Sequence, residues 1–192
     1  HRELLDRDCV GKDTIIACGE QACDPHNRGS GPILPDQPIV FDCFPRSEKS
    51  GYHADMSRTV LKGKASKKVR HLWNTVRDGQ QLGCELVHAG VDGTDVHRAI
   101  MDFFEQEGYR TERRKKGWVG FFHGTGHGIG LDLHEPPWIG KNRSFLLPEG
   151  TVVTVEPGLY YPGLGGVRIE DMVLVTKKGC RNLAKLPKFL EL

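Results

Sequence analysis

Four carboxylates stand in apolar, strand-like surroundings that ordinarily exclude charge. They fall into two pairs, each flanking a turn-rich segment: Asp42 with Asp55, and Glu156 with Glu170. A buried carboxylate costs several kcal/mol unless a positive group compensates it. Few basic residues lie near these four in the sequence. The four carboxylates therefore indicate bound metal cations. Taken singly, each acidic residue has a plainer alternative as a cap or a surface charge.

Three histidines lie between the two pairs, in the glycine-rich segment FFHGTGHGIGLDLHEPP (121–137): His123, His127 and His134. Four carboxylates and the imidazole of His127 suit a pair of divalent cations, and carboxylate-rich ligation favours Mn²⁺ over Zn²⁺. A core histidine bonded to backbone is the alternative for His123 and His134. Seven residues separate His127 from His134, which on a straight strand would point them to opposite faces. The intervening glycines permit bends, so sequence leaves this geometry open.

Composition and motifs exclude several classes of function. A net charge of +2 argues against electrostatic binding of nucleic acid or membrane, and no apolar run is long enough to span a bilayer. The basic run RTERRKK (110–116) is interpreted as a solvated loop. Six cysteines without a CxxC pair favour a reduced, cytoplasmic setting. The glycines of GTGHGIG do not fit a dinucleotide fingerprint, and there is no Walker A, HExxH or GxSxG motif.

Apolar spacing predicts two amphipathic helices. The first covers residues 67–88, with Ser66 as its N-cap and Gly90 as its stop. The second covers residues 95–107, with Thr94 as its cap and Gly108 at its end.

Short β-branched runs bounded by Gly or Pro predict the strands. They are DTIIAC, PIVFDCF, YHADMSRTVL, GHGIGLDL, GTVVTVE and GVRIEDMVLVT. PRSEKSG and PGLYYPGLGG have the composition of hairpin tips, and hairpins imply antiparallel pairing. The predicted fold class is therefore α+β.

These motifs resemble the pita-bread metallopeptidases, the family of methionine aminopeptidase, aminopeptidase P and prolidase. The order Asp, Asp, His, Glu, Glu is similar to that family's ligand order, and HGTGHGIGLDLHE resembles its histidine segment. EPGLYYPG followed by GGVRIED resembles the aminopeptidase P and prolidase branch. ACDPHNRGSG is similar to the segment that supplies a substrate-side histidine. The resemblance covers residues 15–176 and implies the pita-bread (creatinase/aminopeptidase) fold, a curved antiparallel sheet with helices on its outer face.

The resemblance implies two divalent cations, Mn²⁺ first with Co²⁺ or Zn²⁺ as alternatives. The implied metal ligands are Asp42, Asp55, His127, Glu156 and Glu170. Asp55 and Glu170 serve both metals, and Glu156 also takes the proton from the attacking water.

On the substrate side, the resemblance implies that His26 and His134 are catalytic residues that contact the substrate or steady the tetrahedral intermediate. His123 lines the proline pocket, and Arg168 contacts the substrate region and holds ligand carboxylates in place. Tyr160 is a weaker candidate for that support.

The implied activity is that of a metallo-exopeptidase, an Xaa-Pro aminopeptidase or dipeptidase. A hydroxide bridging the metals attacks the carbonyl carbon of the scissile bond, which is the bond preceding proline in a short peptide. The expected partners are that substrate and, by resemblance, a second copy in a homodimer. Three alternatives stay open: a metal-independent creatinase-like hydrolase, an inactive pita-bread domain that binds other proteins, and structural carboxylates without metal.

Two features depart from the family. Asp55 follows Asp42 by thirteen residues, two more than these peptidases usually show. An even insertion preserves the face that each strand presents, so the ligand pair is expected to survive. Residues 1–192 are interpreted as a single metallopeptidase catalytic domain truncated at its N-terminus, with residues 1–12 as the tail of a helix.

Overall fold

Amphipathic helices and short apolar strands build the computed structural model, which describes residues 1–115 and 117–192. The helices are α1 (Arg2–Leu5), α2 (Lys67–Leu86) and α3 (Gly93–Gln106), with a 3-10 helix at Gly19–Cys23. The strands are β1 (Cys9–Val10), β2 (Ile15–Cys18), β3 (Pro38–Cys43), β4 (Arg46–Ser47), β5 (Met56–Leu61), β6 (Glu112–Arg114), β7 (Gly117–Val119), β8 (Gly126–Gly128), β9 (Glu135–Ile139), β10 (Val152–Val155), β11 (Gly158–Tyr161), β12 (Gly165–Arg168), β13 (Asp171–Thr176) and β14 (Gly179–Asn182). None of the helices described is both long and apolar enough to cross a membrane.

The strands form one five-stranded sheet in the order β14-β13-β10-β8-β9 and one three-stranded sheet in the order β2-β3-β5. Within the described residues there are also three two-stranded units: β11-β12, β6-β7 and β1-β4. Every pairing between these strands is antiparallel, which confirms the α+β class. The first predicted hairpin is present, since β3 pairs with β5. The arms of the second pair as β10 with β13, but most of its predicted tip forms a further hairpin, β11–β12.

The first long helix begins as predicted, because the Ser66 side chain accepts a hydrogen bond from the Val69 amide. It ends at Leu86, two residues before the predicted end and ahead of Gly90. The second begins earlier than predicted, and Thr94 is not its cap. The Asp92 carboxylate accepts the hydrogen bond of the Thr94 amide at 2.8 Å, so Asp92 is the N-cap.

Both long helices pack their apolar faces against the strands. Leu72, Val76 and Ile100 are fully buried in one cluster with Val153 and Val173 of the five-stranded sheet. Burial of each such side chain contributes about 1.5–3 kcal/mol. This core supports the strands that carry the candidate site.

The strands of the structure differ from the predicted ones in several places. The strand predicted over 126–133 ends at Gly128, after which residues 129–134 bend. The run 166–176 divides into β12 and β13, because the chain passes from the hairpin into the five-stranded sheet there. Strand β9 was not predicted, since EPPWI holds two prolines; it lies at the sheet edge, where proline is tolerated.

The basic run also differs from its prediction. Residues 112–114 and 117–119 form a short hairpin rather than a loop, and the charged side chains of residues 112–114 are exposed. Lys116, the last residue of that run, lies outside the described residues.

Candidate active site

The first pair of carboxylates lies on the β3–β5 hairpin. Asp42 is directly opposite Ser57 in the register, and Asp55 lies two residues nearer the tip. Residues two apart on a strand share a face, so both carboxylates point the same way. Both are buried. The two additional residues between Asp42 and Asp55 therefore leave both carboxylates on the same face of the hairpin.

The second pair lies where the chain leaves and re-enters the five-stranded sheet. Glu156 directly follows β10 and Glu170 directly precedes β13, while Val155 pairs with Asp171. The β11–β12 hairpin connects the two glutamates. The amide of Glu170 donates to the Ser57 carbonyl at 3.0 Å, which joins this corner to the first hairpin.

His127 reaches the carboxylates from β8. Its Nδ1 lies 3.0 Å from its neighbour's carbonyl oxygen, that of Gly128. Its Nε2 lies 3.2 Å from Oε1 of Glu156 and 3.8 Å from Oδ2 of Asp55. With one nitrogen held by the backbone, the other is available as a ligand to a metal.

The arrangement fits a metal site. One ligand atom each from Asp55, His127 and Glu170 lie within 4.8 Å of one another, and all three residues are buried. Oδ1 of Asp42 and Oε1 of Glu170 are buried and have no hydrogen-bond partner among the residues that the structure describes. A buried carboxylate oxygen without a partner is costly unless something positive meets it. Oxygen-rich ligands with one imidazole suit divalent cations.

Electrostatics support the same conclusion. Burial, followed by the charges of Asp42 and Glu156, raises the pKa of Asp55 to about 8. Burial and the charge of Asp55 raise the pKa of Glu170 well above its ordinary value. Burial also raises the pKa of Asp42, despite the neighbouring Arg168. Since like charges in one site cannot all ionise cheaply, a cation would relieve the cluster.

Glu156 behaves differently from these three. Burial would raise its pKa, but the hydrogen bond and charge of His127, with the charges of His123 and Arg168, bring it below its ordinary value. The pKa of His127 shifts in the opposite direction. Burial would lower it, but the hydrogen bond and the charge of Glu156 raise it above its ordinary value. Glu156 is thus the carboxylate that ionises most readily in this cluster.

A buried hydrogen-bond chain runs from Asp42 to His123. Arg168 donates through Nη2 to Oδ2 of Asp42 at 2.7 Å and through Nη1 to the Tyr160 hydroxyl at 2.9 Å. That hydroxyl lies 2.8 Å from Nε2 of His123. Burial lowers the pKa of His123 to about 4, so its ring is neutral at pH 7. Tyr160 therefore connects Arg168, which holds Asp42, to His123.

One cavity of about 280 Å³ joins the predicted residues. All nine predicted site residues line it: His26, Asp42, Asp55, His123, His127, His134, Glu156, Arg168 and Glu170. His26 and His134 are the exposed members. The rings of His127 and His134 have centroids 4.3 Å apart, because the bends over 129–134 reverse the parity of a straight strand.

Two hydroxyls in the site were not predicted. Ser57 donates to Oε2 of Glu170 at 2.9 Å and accepts from Nε of Arg168 at 3.0 Å. Thr154 donates to Oε1 of Glu156 at 3.2 Å and accepts from the amide of His127. The available signal was strand alternation, since each lies two residues from an acidic residue on the same face.

Comparison with known proteins identifies relatives over nearly the whole chain. A model of metallopeptidase family M24 matches residues 2–177. An uncharacterized peptidase, YqhT of Bacillus subtilis, is 35% identical over 178 residues, covering 93% of this chain and 48% of the relative. A Xaa-Pro dipeptidase of Pyrococcus furiosus is 34% identical, covering 93% of this chain and 49% of the relative. The chain thus spans about half the length of the curated relatives it matches.

Solved structures agree with this match. An X-Pro aminopeptidase from Thermotoga maritima superposes with a TM-score of 0.84 at 34% identity, covering 94% of this chain and 49% of that one. The likeness confirms the pita-bread α+β fold that the sequence motifs implied.

Proposed function

The chain belongs to metallopeptidase family M24, and from this premise we propose that it is a metal-dependent exopeptidase acting on the bond preceding proline in short peptides. The observation that carries the proposal is the convergence of Asp55, His127 and Glu170 within 4.8 Å. Relatives named Xaa-Pro dipeptidase and X-Pro aminopeptidase, at about a third identity, support the substrate class. Residues 1–192 would then act as one catalytic domain.

The proposed ligands of two divalent cations are Asp42, Asp55, His127, Glu156 and Glu170. Mn²⁺ is the first choice for this carboxylate-rich set, with Co²⁺ or Zn²⁺ as alternatives. When bound, the cations supply Lewis-acid chemistry at the scissile carbonyl and lower the pKa of water.

Glu156 is the proposed general base. It takes the proton from the attacking water and delivers it to the leaving nitrogen. Its lowered pKa keeps it ionised at neutral pH, and its Oε1 is oriented by Thr154 and lies close to His127.

The remaining residues are proposed to orient the substrate. His26 and His134, at the exposed part of the cavity, donate hydrogen bonds to the tetrahedral intermediate. His123 forms part of the wall that receives proline, with Phe122 and Tyr160 packed against its ring. Arg168 holds Asp42 in place.

Replacement of Glu156 by Gln tests the proposal. We expect Glu156→Gln to lower kcat on Xaa-Pro dipeptides and longer Xaa-Pro peptides by about 10²–10⁴-fold, because the general base is lost. The fold should persist, since the substitution keeps the shape of the side chain. Glu149→Gln, at an exposed position, is the matched control and should keep full activity.

Hydrolysis is measured in Mn²⁺-containing buffer, with circular dichroism to verify folding. Full activity in Glu156→Gln would refute the role of that residue. A wild-type chain that binds Mn²⁺ yet cleaves no Xaa-Pro peptide would refute the proposed activity.

A further inference from the structure

A buried ionic cluster lies directly behind Glu170. Asp171, the next residue in the chain, is fully buried. Its Oδ1 accepts from Nη2 of Arg58 at 2.6 Å. Its Oδ2 accepts from Nδ2 of Asn182 at 2.8 Å and forms an ion pair with Nζ of Lys188 at 2.7 Å. A buried carboxylate persists only when it is paired and hydrogen-bonded in this way.

Arg58 connects this cluster to the backbone of the site. Its Nη1 donates to the carbonyl oxygens of Glu170, at 2.5 Å, and Ser57, at 2.9 Å. The amide of Glu170 in turn donates to the Ser57 carbonyl at 3.0 Å. The main chain at Glu170 is therefore held on both sides, and its Oε2 is held by the Ser57 hydroxyl.

The C-terminal segment (residues 183–192) supplies some of the contacts that hold Arg58 and Asp171 in place. The carbonyl of Leu186 accepts from Nη2 of Arg58 at 2.8 Å, and Nζ of Lys188 also donates to Oε1 of Gln80 at 2.6 Å. The segment pairs with β5 as well, through bonds of Leu61 with Leu190 and Leu192. The family match ends at residue 177, so this contribution lies outside it.

We propose that Asp171, Arg58 and Lys188 are positioning residues, through which the C-terminal segment holds Glu170 in the geometry that binds a cation. The inference rests on the proposed function, in which Glu170 is a metal ligand. None of the three touches the cavity, so their effect passes through the backbone of Glu170. Partners that orient a ligand typically change metal affinity by about 10–100-fold when removed.

Lys188→Met is the direct test, because it removes the positive charge of the Lys188 side chain and leaves the Arg58–Asp171 pair intact. We expect the dissociation constant for Mn²⁺, measured by titration calorimetry, to rise about tenfold. Lys188→Arg should recover most of the affinity. Lys185→Met, exposed in the same segment, is the matched control and should bind as wild type does.

Wild-type Mn²⁺ affinity in a folded Lys188→Met variant would overturn the inference. If that variant does not fold, Lys188→Gln, which keeps a donor without the charge, replaces it under the same criterion. If the wild-type chain binds no Mn²⁺, the proposed metal site fails. The positioning role is then decided by crystal structures of the metal-free wild type and variant. An unchanged Ser57–Glu170 hydrogen bond in the variant would overturn it, and a lost bond would support it.

Discussion

At the scale of single residues, the two oxygens of the Glu170 carboxylate lie in different settings. Oε2 accepts a hydrogen bond from Ser57, whereas Oε1 is buried and has no partner within residues 1–115 and 117–192. Asp42 shows the same division: Arg168 holds its Oδ2, and its Oδ1 has no partner in the described part of the chain. Each carboxylate is therefore oriented through one oxygen, which leaves the other available to a cation at the proposed metal site. Hydrogen-bonded ligands of this kind are typical of metal sites.

Arg168 is the residue whose loss should damage this orientation most. Arg168→Met removes the partner of Asp42 and leaves a buried charge unpaired, which lowers the free energy of unfolding by about 3–5 kcal/mol. Mn²⁺ affinity should fall about 10–100-fold. Arg168→Lys should be intermediate, since one ammonium cannot replace three directed donors.

Urea unfolding and calorimetric Mn²⁺ titration measure the two effects. Arg181→Met, at an exposed position, is the control and should change neither quantity. A folded Arg168→Met variant with undiminished Mn²⁺ affinity would contradict the supporting role.

At the scale of elements, close backbone packing brings β8 to the carboxylates. A Cβ at Gly126 would lie 1.9 Å from the carbonyl oxygen of Thr154 on β10, and one at Gly128 would lie 2.4 Å from the Pro136 carbonyl. Only glycine permits these approaches. The glycines of the histidine segment therefore place His127 between the two carboxylate pairs.

Gly126→Ala tests that placement. Because the added methyl group meets backbone atoms, β8 must move away from β10 and carry His127 with it. We expect a loss of about 1–3 kcal/mol in the free energy of unfolding and weaker Mn²⁺ binding.

Gly140→Ala is the matched control, since the nearest atom to its Cβ would lie at an ordinary 3.6 Å. Urea unfolding and Mn²⁺ titration compare the two. Equal stability and affinity in both variants would show that close packing at Gly126 does not position His127.

At the scale of the whole molecule, the fold concentrates negative charge where its hairpins and sheets meet. In the metal-free chain, the pKa of Asp55 is about 8 against an ordinary value of 3.8. The folded state then binds more protons than the unfolded state between these values. The contribution of Asp55 to stability is full below about pH 4 and declines as the pH rises to about 8.

Mn²⁺ should reverse this loss, because cation binding requires ionised carboxylates and releases protons. We expect the rise in Tm caused by a fixed Mn²⁺ concentration to grow from about pH 5.5 to about pH 8. At 100 times the dissociation constant, Mn²⁺ would stabilise the fold by about 2.7 kcal/mol.

Thermal unfolding with and without Mn²⁺ across this pH range measures the effect. Asp55→Asn removes the titrating ligand, so its Tm rise should be smaller and less dependent on pH. A wild-type shift that is constant or falls with rising pH would contradict the linkage.

Local patterns were enough to predict the two long helices, the β3–β5 hairpin and the acidic pairs that flank turn-rich segments, because spacing and turn residues act over a few positions. Strand β9 was missed because it depends on a distant contact, an edge position in the sheet that accepts proline. The Asp92 cap is local, but two neighbouring residues, Asp92 and Thr94, could both cap a helix, and spacing did not distinguish them.

The amino-acid sequence by itself determined which groups could do chemistry and on which strand faces they lie, since side-chain alternation and composition are local properties. Only the tertiary structure decided that His134 lies edge-on to His127, which carboxylates Arg168 and Ser57 hold, and that Lys188 reaches Asp171 from the C-terminal segment. These contacts join residues up to 126 positions apart. Their energies depend on burial and distance, which exist only once the chain has folded.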